Sequence, residues 1–286
     1  MNVYIVLSIQ LLIAGGTHIV AKAVVSSVDP APLTFLRSIF STFGLIGILL
    51  LKQRIPRIDR EDWKKLIWIG FLGLPLNQFL YLYGLQHSTA ANGALLYATT
   101  PVFVLLVSRF LLGERLTPGK TLGVTLALAG VSIVVFERGV DFSSEHTFGN
   151  LMILMAVVAW GLFTVQGKPL VLKYGAIQTI AVAMTIGMLL FLPVGIYATA
   201  QTPIVLLDLS QWTGIAYLGL GTSVFGYLLW YYAIGKIEVS KVAVFTNGQP
   251  IFATILAVIF LDYTITGMFV LGGLITLAGV ITTQRS

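Results

Sequence analysis

The chain has 286 residues, 57% of them hydrophobic and only 10% charged, against about 25% charged in a typical soluble domain. So much apolar surface could not be hidden in water, and the composition predicts a membrane protein, which its long apolar spans make all-α. The net charge of +6 comes from Lys and Arg in short loops between apolar runs, a pattern of membrane topology rather than phosphate recognition, so no nucleic-acid partner is expected.

Ten apolar segments of spanning length follow one another, at about 3–25, 32–51, 65–86, 89–111, 119–136, 149–171, 176–199, 212–235, 239–261 and 267–283. Each has the roughly 17–25 residues that a bilayer requires, far more than the strands of an outer-membrane barrel. The first begins MNVYIVLSIQLLIAGG, with no basic stretch ahead of it and no Ala-x-Ala site, and reads as a retained span rather than a cleaved signal peptide. Connections are short, and those at 52–64 and 137–148 carry the most charge. No linker is long enough to separate soluble domains.

The chain also says one thing twice. A shift of 250 − 101 = 149 positions lays Pro101 on Pro250, Gly70 on Gly219, Tyr83 on Tyr232 and Thr117 on Thr266, and Leu128-Ala129-Gly130 on Leu277-Ala278-Gly279, without a gap. A shared proline, shared glycines and a shared Leu-Ala-Gly in one register indicate an internal duplication. It divides the chain into five-span halves, 1–142 and 143–286. With the N-terminus in the cytoplasm, fourteen of the 17 Lys and Arg face inward and only Lys22, Arg37 and Arg138 outward, which predicts N-in and C-in. Five spans per half is an odd number, so the second half must run upside down relative to the first. Accordingly the basic loop Gly113-Glu114-Arg115-Leu116-Thr117 matches Asp262-Tyr263-Thr264-Ile265-Thr266, which has no Lys or Arg. The expected architecture is ten transmembrane helices in two inverted-topology repeats, as in secondary carriers.

Candidate functional residues gather in three pairs of spans. In the third and eighth, one helical face reads Gly70, Gly73, Asn77, Tyr81, Gly84 and, in the repeat, Gly219, Thr222, Gly226, Trp230, Ala233. Such a stripe serves either close helix packing or the lining of a path. Tyr81, Tyr83, Trp230, Tyr231 and Tyr232 lie towards helix ends, where an interfacial belt is the default, whereas Asn77, Gln78 and Tyr227 sit mid-span. The fourth and ninth spans carry breaks, Thr99-Thr100-Pro101 and Asn247-Gly248-Gln249-Pro250. Proline frees a carbonyl one turn earlier, which lipid cannot satisfy, so each break is either a kink healed by nearby hydroxyls or part of a cavity wall. The first and sixth spans match at Ala14-Gly15-Gly16 and Ala159-Trp160-Gly161, followed by His18 in one and Phe163, Thr164 and Gln166 in the other. His18 is either a core histidine or the one side chain within a span suited to carry a proton near neutral pH. Lys22, Arg37 and Lys168 lie nearer span ends, where snorkelling accounts for them, and Asp29 is a candidate partner for Lys22 or Arg37.

The absences narrow the chemistry. There is no cysteine, His18, His87 and His146 are far apart, and no Asp or Glu lies mid-span. Disulfides, zinc or other metal sites and a carboxylate ion relay are not expected, nor is a cofactor. No nucleotide-binding Gly-x-x-x-x-Gly-Lys, His-Glu-x-x-His or Gly-x-Ser-x-Gly occurs, so enzyme activity is not expected.

Ten spans in two such halves, with Pro-ended polar breaks ahead of a Gly-Glu-Arg-Leu-Thr loop, resemble the EamA-type transporters of the drug/metabolite transporter superfamily over essentially the whole chain. The first half matches through ATTPVFVLLVSRFLLGERLTPGKTLGVTLALAGV and the second through TNGQPIFATILAVIFLDYTITGMFVLGGLITLAGV. Asp262-Tyr263 replaces the usual Gly-Glu, and Gly15 stands where the family often has Trp, a residue retained as Trp160. The resemblance implies a multi-pass carrier of the bacterial or archaeal cytoplasmic membrane. It would move a small metabolite, with amino acids or other aromatic or zwitterionic compounds foremost and export as the direction. Other metabolite classes (nucleotide-derived, sugar or amine) and a non-transporting membrane sensor are the alternatives. The implied cavity lies between the halves and is lined by His18, Gln78, Tyr81, Tyr97, Thr100, Trp160, Phe163, Tyr227, Trp230, Asn247 and Gln249.

Overall fold

The computed structural model describes residues 2–51, 55, 57–137, 139–252 and 266–286. Among them every regular element is helical. The helices are α1 (Val3–Val25), α2 (Pro30–Leu50), α3 (Asp62–Gln86), α4 (Ala90–Leu112), α5 (Pro118–Glu137), α6 (Ser144–Tyr174) and α7 (Ala176–Ala200), then α8 (209–234), α9 (239–252) and α10 (Gly267–Arg285). Among the described residues eight helices, all but α8 and the described part of α9, are long and apolar enough to cross a membrane. Helix α8 occupies the eighth predicted span, but its Gly, Ser, Thr and Tyr residues dilute its apolar character. The ninth predicted span, 239–261, is described as far as residue 252. The Asp262-Tyr263 loop and the charges Lys52, Arg54 and Arg138 lie outside the described residues.

Local chemistry sets the helix ends. Pro30 opens α2, where a missing N–H costs nothing. The Thr89 hydroxyl accepts from the Asn92 N–H at the start of α4, and Asp208 with Gln211 forms a reciprocal capping box on α8. Gly113 closes α4 at φ 69°, a left-handed conformation that a Cβ would disfavour.

Four helices are irregular. Helix α4 is interrupted at Thr99, whose hydroxyl donates to the Leu96 carbonyl, and α9 tightens into a 3₁₀ turn over Val244–Gly248 ahead of Pro250. Both interruptions fall at the predicted breaks. Helices α3 and α8 instead carry π-helical turns, Leu72–Phe79 around Pro75 and Tyr217–Gly226, which the sequence pattern does not anticipate. A wider turn accommodates the N–H that Pro75 lacks.

Glycines bring the helices into backbone contact. A Cβ placed on Gly130 would lie 2.6 Å from the Gly272 carbonyl oxygen, and one on Gly272 equally close to that of Gly130. Helices α5 and α10 therefore touch along their main chains, and Gly123 meets Gly279 in the same way. These partners interchange under the 149-residue shift, since 123 + 149 = 272 and 130 + 149 = 279. A second pair behaves alike. Gly70 faces Ile186 while Gly219 faces Arg37, with 70 + 149 = 219 and 37 + 149 = 186.

At the end of the bundle that carries the 113–117 loop, one carboxylate ties three elements together. Buried Glu114 accepts the N–H of Val239 (2.6 Å), and the N–H and hydroxyl of Ser240 (3.1 and 2.6 Å). It thereby caps the start of α9, and Lys168 of α6 stands 3.4 Å away. Beside it, fully buried Lys120 pairs with Glu238 at 3.0 Å. Burial alone pushes the Glu114 carboxyl up, but the Ser240 and Val239 donors and Lys168 outweigh it and hold the group below the ordinary carboxylate range.

Two predictions follow from these contacts. Gly130→Ala overpacks a backbone contact and should cost about 1–3 kcal/mol, read as a lower melting temperature of the purified protein. Gly273→Ala, where an added Cβ meets nothing within 4 Å, should leave it unchanged. Because the folded Glu114 pKa is depressed, its contribution is complete above the unfolded value of about 4.3. It is lost as pH falls through the lower folded value. Glu114→Gln should melt lower at neutral pH, by roughly 1–3 kcal/mol, and its melting temperature should fall less steeply than that of the parent on acidification below pH 5.

Candidate functional site

Seven helices, α1, α2, α3, α4, α6, α8 and α9, meet around a cavity in the middle of the bundle. Space for the centres of water-sized groups amounts to about 70 Å³, several times the ~10–15 Å³ that one water needs. One wall is aromatic. The Trp160 ring lies 5.0 Å from that of Tyr227, with Phe163 (5.5 Å) and Trp230 (5.7 Å) behind it. Across the cavity Tyr81 and Tyr97 meet edge to face at 4.9 Å.

The polar wall is built from two hydrogen-bonded sets, one around Arg37 and one around His18. The Arg37 Nε donates to the Ser223 hydroxyl (2.9 Å), which donates to the Leu218 carbonyl five residues earlier (3.0 Å). That spacing is the signature of the π-helical turn, so the irregularity of α8 is what presents Ser223 to Arg37. The Gln78 amide donates to Ser223 (3.3 Å) and to the Tyr227 hydroxyl (3.2 Å). Asn77 donates to the Tyr97 hydroxyl (2.6 Å) and the Ala156 carbonyl (2.9 Å). The His18 ring bridges Tyr81 through Nδ1 and the Gln249 Oε1 through Nε2 (2.9 Å). A neutral imidazole with its proton on Nε2 satisfies both.

Two acceptors in this wall are left over. Gln10 Oε1 and Gln78 Oε1 are buried without a hydrogen-bond partner. Arg37 is only 3% exposed, yet among the described residues it pairs with no carboxylate. It stands seven residues into α2, about 10 Å from the helix start. A charge there costs roughly 2.5–3.5 kcal/mol. Arg37 does not snorkel, contrary to the sequence expectation, because its side chain turns inward to Ser223. Nor does Asp29 pair with Arg37 or Lys22. It accepts from Gln86 (3.3 Å), and Lys22 donates to the Leu85 and Ser88 carbonyls.

Seven of the eleven residues implied by the resemblance, His18, Gln78, Tyr81, Tyr97, Trp160, Tyr227 and Gln249, border this one cavity. The other four lie in the layer behind it. Trp230 is fully buried and donates to Thr164 (3.2 Å), Phe163 packs between Trp160 and Tyr231, and Thr100 is fully buried. The Asn247 amide donates to the Ala98 carbonyl (2.8 Å) and accepts from the Leu128 N–H (3.3 Å). Sequence reasoning missed Gln10, Thr17 and Arg37 as lining residues. A glutamine and an arginine inside apolar runs were the available signal.

The cavity is also placed asymmetrically. His18 borders both it and a second space next to Ala90 and Pro250, and Ala90 in turn borders a third among Lys22, exposed His87 and exposed Glu145. The opposite end of α4 is the one closed by the Glu114 clamp. Among the described residues no group of three His, Asp or Glu side chains could hold a metal ion.

A family model described as the EamA-like transporter family matches residues 1–136 and 147–284. An uncharacterized transporter of Archaeoglobus fulgidus is 28% identical over 97% of this chain and 95% of its own length. The uncharacterized transporter YetK of Bacillus subtilis is 27% identical over 99% and 87%. A probable terminal-alkyne amino-acid exporter of Streptantibioticus cattleyicolor is 27% identical over 81% and 76%. In fold, a protein of known crystal structure superposes with a TM-score of 0.81 over 99% of this chain and 97% of its own, at 21% identity. With both stretches of the family model covered, and the helical bundle and its central cavity in place, the chain belongs to the EamA-like transporter family.

Proposed function

We propose that this membrane transporter is a secondary carrier that binds a small metabolite in the central cavity and exposes it alternately to the two sides of the membrane. The observation that carries the reading is the cavity itself, mid-bundle, walled by aromatic rings and amides from both halves of the chain. In this reading residues 1–142 and 143–286 are two five-span repeats of opposite orientation, with both termini in the cytoplasm. The interchange of glycine contacts under the 149-residue shift supports it, because paired contacts of that kind are what a two-fold relation between halves requires. The Glu114 clamp then closes the cytoplasmic end, while the spaces beyond His18 and Ala90 lead towards the other. The membrane is the cytoplasmic membrane of a bacterium or archaeon, and the chain performs no chemistry on its cargo.

Amino acids or related aromatic or zwitterionic metabolites are the proposed cargo, and export the direction. The amide and hydroxyl groups suit ammonium and carboxylate ends, the Trp160–Tyr227 wall suits an apolar or aromatic side chain, and a relative is named an amino-acid exporter. Cargo contacts come from His18, Gln78, Tyr81, Tyr97, Trp160, Tyr227 and Gln249, while Thr100, Phe163, Trp230 and Asn247 hold them from behind.

The test is transport by the purified protein in liposomes with labelled amino acids. Saturable flux is expected, and its absence across the set would contradict the reading. Trp160→Ala should raise the half-saturation concentration about tenfold, since an aromatic contact is worth roughly 0.5–1.5 kcal/mol beyond its area. Asn247→Ala should instead lower the melting temperature with a smaller effect on half-saturation.

A further inference from the structure

Arg37 is the one feature of the cavity wall that an amide-and-aromatic site does not explain. A guanidinium buried to 3% exposure in a membrane protein is ordinarily neutralised by an acidic side chain. Here the Asp and Glu residues of the sequence all lie outside the middle of the spans, and among the described residues none pairs with Arg37. Its Nε is used by Ser223 (2.9 Å). Among the described residues the two terminal nitrogens have no such partner, although their residue lines the cavity. On the same wall, Gln10 and Gln78 each present an Oε1 that is buried and accepts nothing. The cavity wall thus carries one unbalanced positive charge with free donors and, among the described residues, two buried acceptors without partners.

We propose that the cargo carries a carboxylate that docks on the terminal nitrogens of Arg37, with its amino group directed to Gln10 Oε1 and Gln78 Oε1. This rests on the carrier reading and narrows it, because it makes the anionic end of the cargo obligatory. A guanidinium offers two parallel N–H donors matched to the two oxygens of a carboxylate. Charge decides between carboxylate and phosphate. A phosphate monoester brings about −1.5 to −2 at neutral pH, and Arg37 is a single positive charge. Ser223 acts as a positioning residue. Held by the π-helical turn of α8, it fixes Nε and leaves the other two nitrogens free.

The experiment compares matched probes in liposomes: phenylalanine, leucine and threonine, each as the free acid and as its carboxamide. Parent protein should transport at least one free acid saturably and discriminate against its amide by roughly ten- to a hundredfold, the worth of a charge-assisted pair. Arg37→Gln should abolish that discrimination, raising half-saturation for the acid and not for the amide. Arg37→Lys should restore part of it. Should Arg37→Gln melt far below the parent, Ser223→Ala serves instead, with weaker discrimination between acid and amide as the expected result. Equal transport of acids and amides, or amides alone, would overturn the carboxylate site while the carrier reading stood. No saturable flux of either series would defeat the carrier reading, and this inference with it.

Discussion

Polar groups in a bilayer have no water to fall back on, and the need to satisfy each of them inside the protein shapes this molecule. Most are satisfied by helix formation, and around the cavity a single network runs from Arg37 through Ser223 and Gln78 to Tyr227, and through Asn77 to Tyr97. The network joins α2, α3, α4 and α8, helices that are far apart in sequence. In the cavity wall it leaves the buried Oε1 atoms of Gln10 and Gln78 unpaired. An apolar solvent outside makes any such leftover polar group expensive, so the leftovers mark where the protein expects a polar guest.

The irregular helices are part of the same arrangement. A regular α-helix spends its carbonyls on its own N–H groups. The π-helical turns of α3 and α8 redirect some of that bonding, as where Ser223 reaches back to Leu218, and the interruptions at Thr99 and Val244–Gly248 do so in α4 and α9. All four helices line the cavity. The regular helices α5, α7 and α10 contribute nothing to it and instead pack through glycines, backbone against backbone. Structure and site therefore divide the helices between them, with α1, α2 and α6 regular but inward-facing at Gln10, His18, Arg37 and Trp160.

Much of this was legible in the sequence. Apolar runs located the helices, and the prolines with their neighbouring Thr and Asn located two interruptions. A resemblance to a family, rather than periodicity, pointed to seven residues that border one cavity. What stayed hidden depended on which way a side chain turns. Arg37 looks like a snorkelling residue when judged by its distance from a span end, and only the tertiary placement of Ser223 turns it inward. The π-helical turns are equally silent. Pro75 permits one, but Tyr217–Gly226 contains no proline. Trp230 and Asn247 lie behind the wall, where Trp230 bonds Thr164 and Asn247 bonds the Ala98 carbonyl, a placement that the sequence pattern does not distinguish from lining.

The central claim is that the two halves move against each other around the cavity, opening the end now closed by Glu114. The sequence contains no cysteine, so spin labels can be introduced at exposed Arg115 and Lys236, one in each half, without removing native thiols. Electron–electron double resonance on that pair in liposomes tests the claim most directly. Two distance populations that exchange weight when a transported amino acid is added are the predicted result. A single distance, unchanged at saturating concentrations of an amino acid shown to be transported, would contradict it.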